Sequence, residues 1–193
     1  MGSLADKQVE LYMYGDYLSW DDGERWELIN GVPYNMTPAP SRRHQQISGE
    51  LFRQFANFLI GQPCEIYDAP FDVRLPDGDE SDTDISTVVQ PDLVVICDPH
   101  KLDDAGCIGA PDLIVEILSP STSRKDHKEK FICYERAGVK EYWLVDPVAN
   151  TVTVFKRGFD KRYGRPDVYS DEEKIVVGIL PDLEIDLALV FSG

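Results

Sequence analysis

The segment Asp112-Leu113-Ile114-Val115-Glu116-Ile117-Leu118 most constrains what this chain can fold into. It is β-branched and continuously apolar apart from its acids, and it reads as a buried β-strand. An unpaired carboxylate is expensive in such a place, so Glu116 must be paired, neutralised or bound to a metal. A second strand, Pro91-Asp92-Leu93-Val94-Val95-Ile96, carries another acid at its start. Lys130 follows on what should be the next helix. Two acids and a lysine around a sheet suggest metal-assisted hydrolysis; a buried salt bridge is the alternative.

The surrounding sequence fixes the elements these residues sit on. Trp26-Glu27-Leu28-Ile29 and Val32 to Met36 flank Asn30-Gly31, a strong two-residue hairpin signal. Residues 7–20 predict a short helix or turn. Ser41 is an N-cap candidate for a helix over roughly 42–60, with Ile47, Leu51, Phe55, Phe58 and Leu59 at helical spacing. Residues 64–75 predict an extended strand bent at Pro70, 88–97 and 112–118 two more, and 77–84 a solvated acidic loop. A helix from near Ser123 should close at Gly138. Strands are expected at 141–147, 151–155, 174–179 and 183–190. The order implies an α+β or mixed α/β domain built around one sheet.

At about 100° per residue, Asp126, Lys130, Cys133, Tyr134 and Ala137 share one helix face, and Lys128 lies opposite. An inward lysine needs a partner. Asp126, four residues earlier, is one choice; Glu116 and Asp92 are the other. Strand alternation puts Ile114, Glu116 and Leu118 on one face, and Asp92 with Val94 and Ile96. If the two strands are neighbours, both carboxylates converge. Paired oxygen ligands suit Mg²⁺ or Mn²⁺. Asp112, after Pro111, forms a second Pro-Asp pair at the entrance of its strand.

Composition bounds the partners. The 193 residues suit one domain, and no apolar run is long enough for a membrane helix. No signal peptide is visible, so a cytoplasmic location is expected. The four cysteines, Cys64, Cys97, Cys107 and Cys133, lack metal-site spacing and read as free thiols. A net charge of −16 disfavours generic nucleic-acid binding, which draws on Lys and Arg. Only a local basic cluster could support it: Arg42-Arg43, Arg124-Lys125 or the stretch 156–165.

Four segments carry a resemblance: Glu27 to Gly31, Pro91 to Val95, Val115 to Thr122, and Ala137 to Pro147. They resemble the Uma-two family, bacterial proteins of the PD-(D/E)XK, restriction-endonuclease-like superfamily. The resemblance spans about 10–190. It implies a single restriction-endonuclease-like domain over 1–193, with a core of about 24–190. It further implies a mixed sheet flanked by helices, an N-terminal hairpin and extra C-terminal strands. By position, Asp92 and Glu116 match the superfamily's metal-binding acids. The superfamily lysine would stand two residues after the second acid, where this chain has Leu118; Lys130 on the next helix corresponds to it. Glu27 resembles an N-terminal acid, a third ligand or water orienter, or else half of a cross-strand surface pair. His44 matches a family position and is also placed to cap its helix. The implied activity is Mg²⁺- or Mn²⁺-dependent hydrolysis of nucleic acid, DNA in the first instance, with homodimerisation compatible. The other class is a non-catalytic nuclease-like scaffold that binds protein, for which Tyr142 and Trp143 could supply a surface.

Overall fold

The structure is a computed structural model that describes residues 10–36, 39–120 and 125–192. The described residues build two six-stranded sheets, not one. The first is ordered β2-β1-β5-β4-β8-β7. Its strands are β1 (Trp26–Ile29), β2 (Val32–Asn35), β4 (Val73–Arg74), β5 (Val88–Val89), β7 (Leu102–Asp103) and β8 (Gly106–Ile108). The second is ordered β12-β11-β10-β9-β6-β3. It contains β3 (Glu65–Asp68), β6 (Leu93–Ile96), β9 (Leu113–Ile117), β10 (Glu141–Asp146), β11 (Thr151–Lys156) and β12 (Asp167–Ser170). A hairpin of β13 (Lys174–Val176) and β14 (Glu184–Asp186) stands apart.

Two prolines explain why one sheet became two. Proline has no N–H for a ladder, so it ends strand pairing. The expected strand 88–97 breaks around Pro91, sending β5 to the first sheet and β6 to the second. The expected strand 64–75 breaks at Pro70, with β3 and β4 divided the same way. Both breaks fall between the sheets, and Asp92 lies at one of them. The tail also differs: 183–190 forms β14 and then a short helix, because Asp186 caps the N–H groups of Ala188 and Leu189 at 3.1 and 3.4 Å.

The local signals otherwise hold. Asn30 and Gly31 take φ of 51° and 78°, the left-handed pair a tight hairpin demands. The first helix, α1, is Tyr14–Tyr17, and α2 is Arg42–Leu59. Ser41 Oγ accepts from the His44 N–H at 3.2 Å and starts α2. Ile47, Leu51, Phe55 and Leu59 bury one α2 face against β9, Trp143 and the C-terminal elements. Each such side chain contributes about 1.5–3 kcal/mol. The next helix is α3 (Phe131–Ala137), preceded by a π-helical turn over Asp126–Lys130; α4 is Leu187–Val190. The expected cap, Ser123, lies outside the described residues. Gly138 closes α3 in the left-handed region.

The second sheet separates two cores. Leu113, Val115 and Ile117 face α2, while Ile114 joins the first sheet, Tyr134 and Tyr142 on the other side. Glu116 therefore points toward α3 and the first sheet, the face its strand position predicts. Tyr142 and Trp143 are both fully buried, so they offer no partner surface. Cys64 and Cys97 are not free thiols: they form a disulfide. They directly flank the ends of paired β3 and β6, where antiparallel register sets them opposite one another. Cys107 and Cys133 are the free, buried pair.

Candidate active site

Asp92 and Glu116 meet because β6 and β9 are antiparallel neighbours. Leu93 pairs with Val115, and one further step sets Asp92 opposite Glu116. Asp92 is held twice. Its Oδ2 accepts from the Ile117 N–H at 2.7 Å, and its Oδ1 from His44 Nε2 at 3.2 Å. His44 thus both joins the helix cap and orients an acid. Asp112 repeats the backbone half of this arrangement at the other end of the strand pair. There its Oδ2 accepts from the Cys97 N–H at 2.7 Å, and its Oδ1 from Lys140 Nζ at 2.6 Å. Each Pro-Asp pair closes the end of its neighbour's strand, but only Asp92 faces the cleft that holds Glu116.

Lys130 reaches the sheet rather than its own helix. Its Nζ lies 2.7 Å from Glu116 Oε1 and 2.7 Å from Glu27 Oε1, and 3.9 Å from Asp126 Oδ1. Of the two partnerships the helix face allowed, the Glu116 one dominates. Glu27 is no surface pair. It is fully buried, and it also accepts from Lys125 Nζ at 2.6 Å and from the Gln90 N–H at 3.0 Å. The Tyr134 hydroxyl donates to Glu116 Oε1 at 2.7 Å. Among the described residues nothing donates to Glu116 Oε2.

Sequence reasoning missed Lys125 and Tyr134 as members of this group. Tyr134 was visible on the Lys130 face, four residues on; its partner was not. Lys125 was visible only as part of a basic cluster.

The electrostatics follow from burial. Desolvation pushes the Glu116 carboxyl up to about 8, with Asp126, Asp92 and Glu27 adding to it and Lys130 opposing. For Glu27 burial acts the same way, but Lys130 and Lys125 together outweigh it and hold the group below its usual range. Burial disfavours the Lys130 charge, yet Glu116, Glu27 and Asp126 keep its pKa well above that of a free lysine. The group is an alternation of charges in which Glu116 is the member most ready to hold a proton.

These residues line an open cleft of about 920 Å³. Four basic side chains, Arg25, Arg43, Lys125 and Lys130, line it against six acids. That is a mixed surface on a chain of net charge −16. Two of the basic clusters contribute to it through Arg43 and Lys125; Arg124 lies outside the described residues, and 156–165 does not line the cleft. Among the described residues, no three His, Cys, Asp or Glu side chains group to enclose a metal ion, and no helix is long and apolar enough to cross a membrane.

The comparisons with known proteins agree with this architecture. A solved structure of "a putative nuclease belonging to DUF820" from Anabaena variabilis superimposes with a TM-score of 0.74. It shares 19% identity and covers 93% of this chain and 97% of its own. At that identity the likeness establishes the fold. An uncharacterized protein of Synechocystis sp. is 30% identical over 148 residues, 75% of this chain and 74% of the relative. The model of a family described as "Putative restriction endonuclease" matches residues 14–188, which include every acid and lysine of the cleft. The chain belongs to that family, Uma2.

Proposed function

We propose that the cleft hydrolyses phosphodiester bonds of nucleic acid, with DNA as substrate and Mg²⁺ or Mn²⁺ as the assisting ion. The observation that carries this reading is convergence. Glu27, Asp92, Glu116 and Lys130 come from four separate segments and face one open cleft. The donor set fits the ion. It is all hard oxygen, and Mg²⁺ takes one or two carboxylates with waters and substrate phosphate completing the shell. Two protein acids rather than an enclosing three suit that habit. Asp92 and Glu116 would hold the ion, with the Ile117 carbonyl a further oxygen. When bound, such an ion polarises a phosphoryl oxygen and makes its water a stronger nucleophile.

The chain's own residues do the rest. Lys130 stabilises negative charge developing on the phosphate and orients the attacking water. Glu27 holds the Lys130 ammonium in place together with Glu116. Arg25, Arg43 and Lys125 suit contacts to the phosphate backbone, which position a strand without reading it. The family's description and that of the structural neighbour support a nuclease. The net charge of −16 is the one observation that favours the non-catalytic scaffold instead.

Plasmid nicking in Mn²⁺ separates the two. The nuclease reading expects metal-dependent nicking that Lys130→Met and Asp92→Ala both abolish. Unchanged cleavage by both variants refutes the site, and no cleavage by the natural chain leaves the scaffold. Calorimetry adds a readout free of turnover: Mn²⁺ should bind the natural chain and not Glu116→Ala.

A further inference from the structure

A second cavity, of about 470 Å³, adjoins the cleft. Gln90 lines both, and the consecutive residues Ala69 and Pro70 line one each. Gln90 is 7% exposed and bonds in both directions. On the cleft side its N–H donates to Glu27 Oε1 at 3.0 Å, and its Oε1 accepts from Arg25 Nη2 at 2.7 Å. On the cavity side its Nε2 donates to the Tyr17 hydroxyl at 3.1 Å and to Asp72 Oδ1 at 2.8 Å. Gln90 is the residue the two recesses share.

The cavity's chemistry differs from that of the cleft. The half-buried Tyr67 and Phe71 contribute stacked rings, 4.4 Å apart and 12° from parallel. Tyr17 forms another aromatic wall. Among the described residues the charged lining is Asp72, Asp103 and Asp104, with no basic side chain. Asp103 is already held by Arg74 Nη2 at 2.5 Å. Asp72 receives Tyr17 and Gln90 on Oδ1, and among the described residues nothing donates to its Oδ2. Such a pocket repels phosphate. It suits a flat ring whose edge donates hydrogen bonds, because aromatic side chains stack any base and a carboxylate accepts from an amino group.

We propose that this cavity is a base-binding subsite for an unpaired nucleobase carrying an exocyclic amino group. The base extends the Tyr67–Phe71 stack from the cavity side and donates to Asp72, while the adjoining phosphate lies in the cleft beyond Gln90. The inference rests on nucleic acid being the ligand of the cleft. It makes the substrate a single strand or a locally unpaired one rather than intact duplex.

The test uses the full chain and a short DNA single strand with 2-aminopurine walked along it, in Ca²⁺ to hold off turnover. Emission should change when the probe reaches one narrow register and stay constant elsewhere. Tyr67→Leu and Phe71→Leu should abolish that change and weaken binding by about 5- to 150-fold. Asp72→Asn, which keeps the shape, should reduce the preference for amino-bearing bases over thymine at that register. It decides the matter if the aromatic variants fail to fold by circular dichroism. Failure of the strand to bind, emission constant in every register, or emission and base preference indifferent to all three variants overturns the subsite. So does Asp72-dependent binding of arginine methyl ester with no change in emission, which would assign the cavity to a basic side chain of a protein partner. A seated base without cleavage in Mg²⁺ or Mn²⁺ refutes the nuclease reading and leaves the subsite standing. Cleavage with constant emission does the reverse.

Discussion

Lys130→Met removes the only ammonium that touches both Glu27 and Glu116 among the described residues. Both carboxylates are buried, Glu27 at 0% and Glu116 at 4% exposure. Deleting one partner of a buried ion pair costs about 3–5 kcal/mol, because a charge is left without compensation. The cost must depend on pH. The Glu116 carboxyl is raised from 4.5 to about 8, so in that window the folded chain keeps a proton that the unfolded chain has released. Stability of the natural chain therefore falls as pH rises from about 5 to about 8. In Lys130→Met the loss is largest at pH 8, where Glu27 must ionise with Lys125 as its one remaining ammonium, and smaller near pH 5.5, where it can keep a proton. For a chain of this size the full loss lowers Tm by roughly 6–20 °C. Thermal melts of both chains across pH 5–8, without divalent metal, measure it. Adding Glu27→Gln to Lys130→Met should recover much of the loss at pH 8. A variant as stable as the natural chain at pH 8, or equally destabilised at both ends, refutes the charge-compensation argument.

Other substitutions separate roles within the site and its frame. Tyr134→Phe removes the hydroxyl that donates to Glu116 Oε1; losing a buried hydrogen bond to that carboxyl should cost about 1–3 kcal/mol by urea denaturation. Asp112→Ala should destabilise by a similar amount, since it frees the Cys97 N–H and the partner of Lys140, yet leave Mn²⁺ binding unchanged. Asp92→Ala should abolish Mn²⁺ binding; matching calorimetric results for the two aspartate variants would contradict their division of labour. Gly106 has φ of 129°, and a Cβ there would meet the Asp72 carbonyl. Gly106→Ala should therefore lower Tm and, through Asp72, disturb the second cavity; an unshifted melt would contradict that.

What could be read from sequence was local. Asn30-Gly31 sets its own turn, Ser41 its own cap, and alternation through Leu113 to Ile117 puts Glu116 on the correct face without knowledge of any partner. Helical periodicity likewise placed Lys130 inward and Lys128 outward. Partners across space were not legible. The helix face left Lys130 with a choice between Asp126 and Glu116, because choosing requires the distance to a strand not yet positioned. Cys64 and Cys97 are 33 residues apart and meet only through the β3–β6 register. Pro70 was visible as a bend, whereas 88–97 read as one strand through Pro91; that each proline hands the chain from one sheet to another depends on contacts far along the sequence. Glu27 illustrates the same limit: its strand was evident, and its burial came from Lys125, Lys130 and Gln90, three residues remote in the chain.

The central claim is that Asp92 and Glu116 share one metal ion at the mouth of the Lys130 site. A crystal of the natural chain soaked in Mn²⁺ and measured at the manganese absorption edge tests it most directly. The account predicts one anomalous peak with oxygen ligands from both carboxylates. A peak bound elsewhere, or a soaked crystal with no peak beside Asp92 and Glu116, would contradict it.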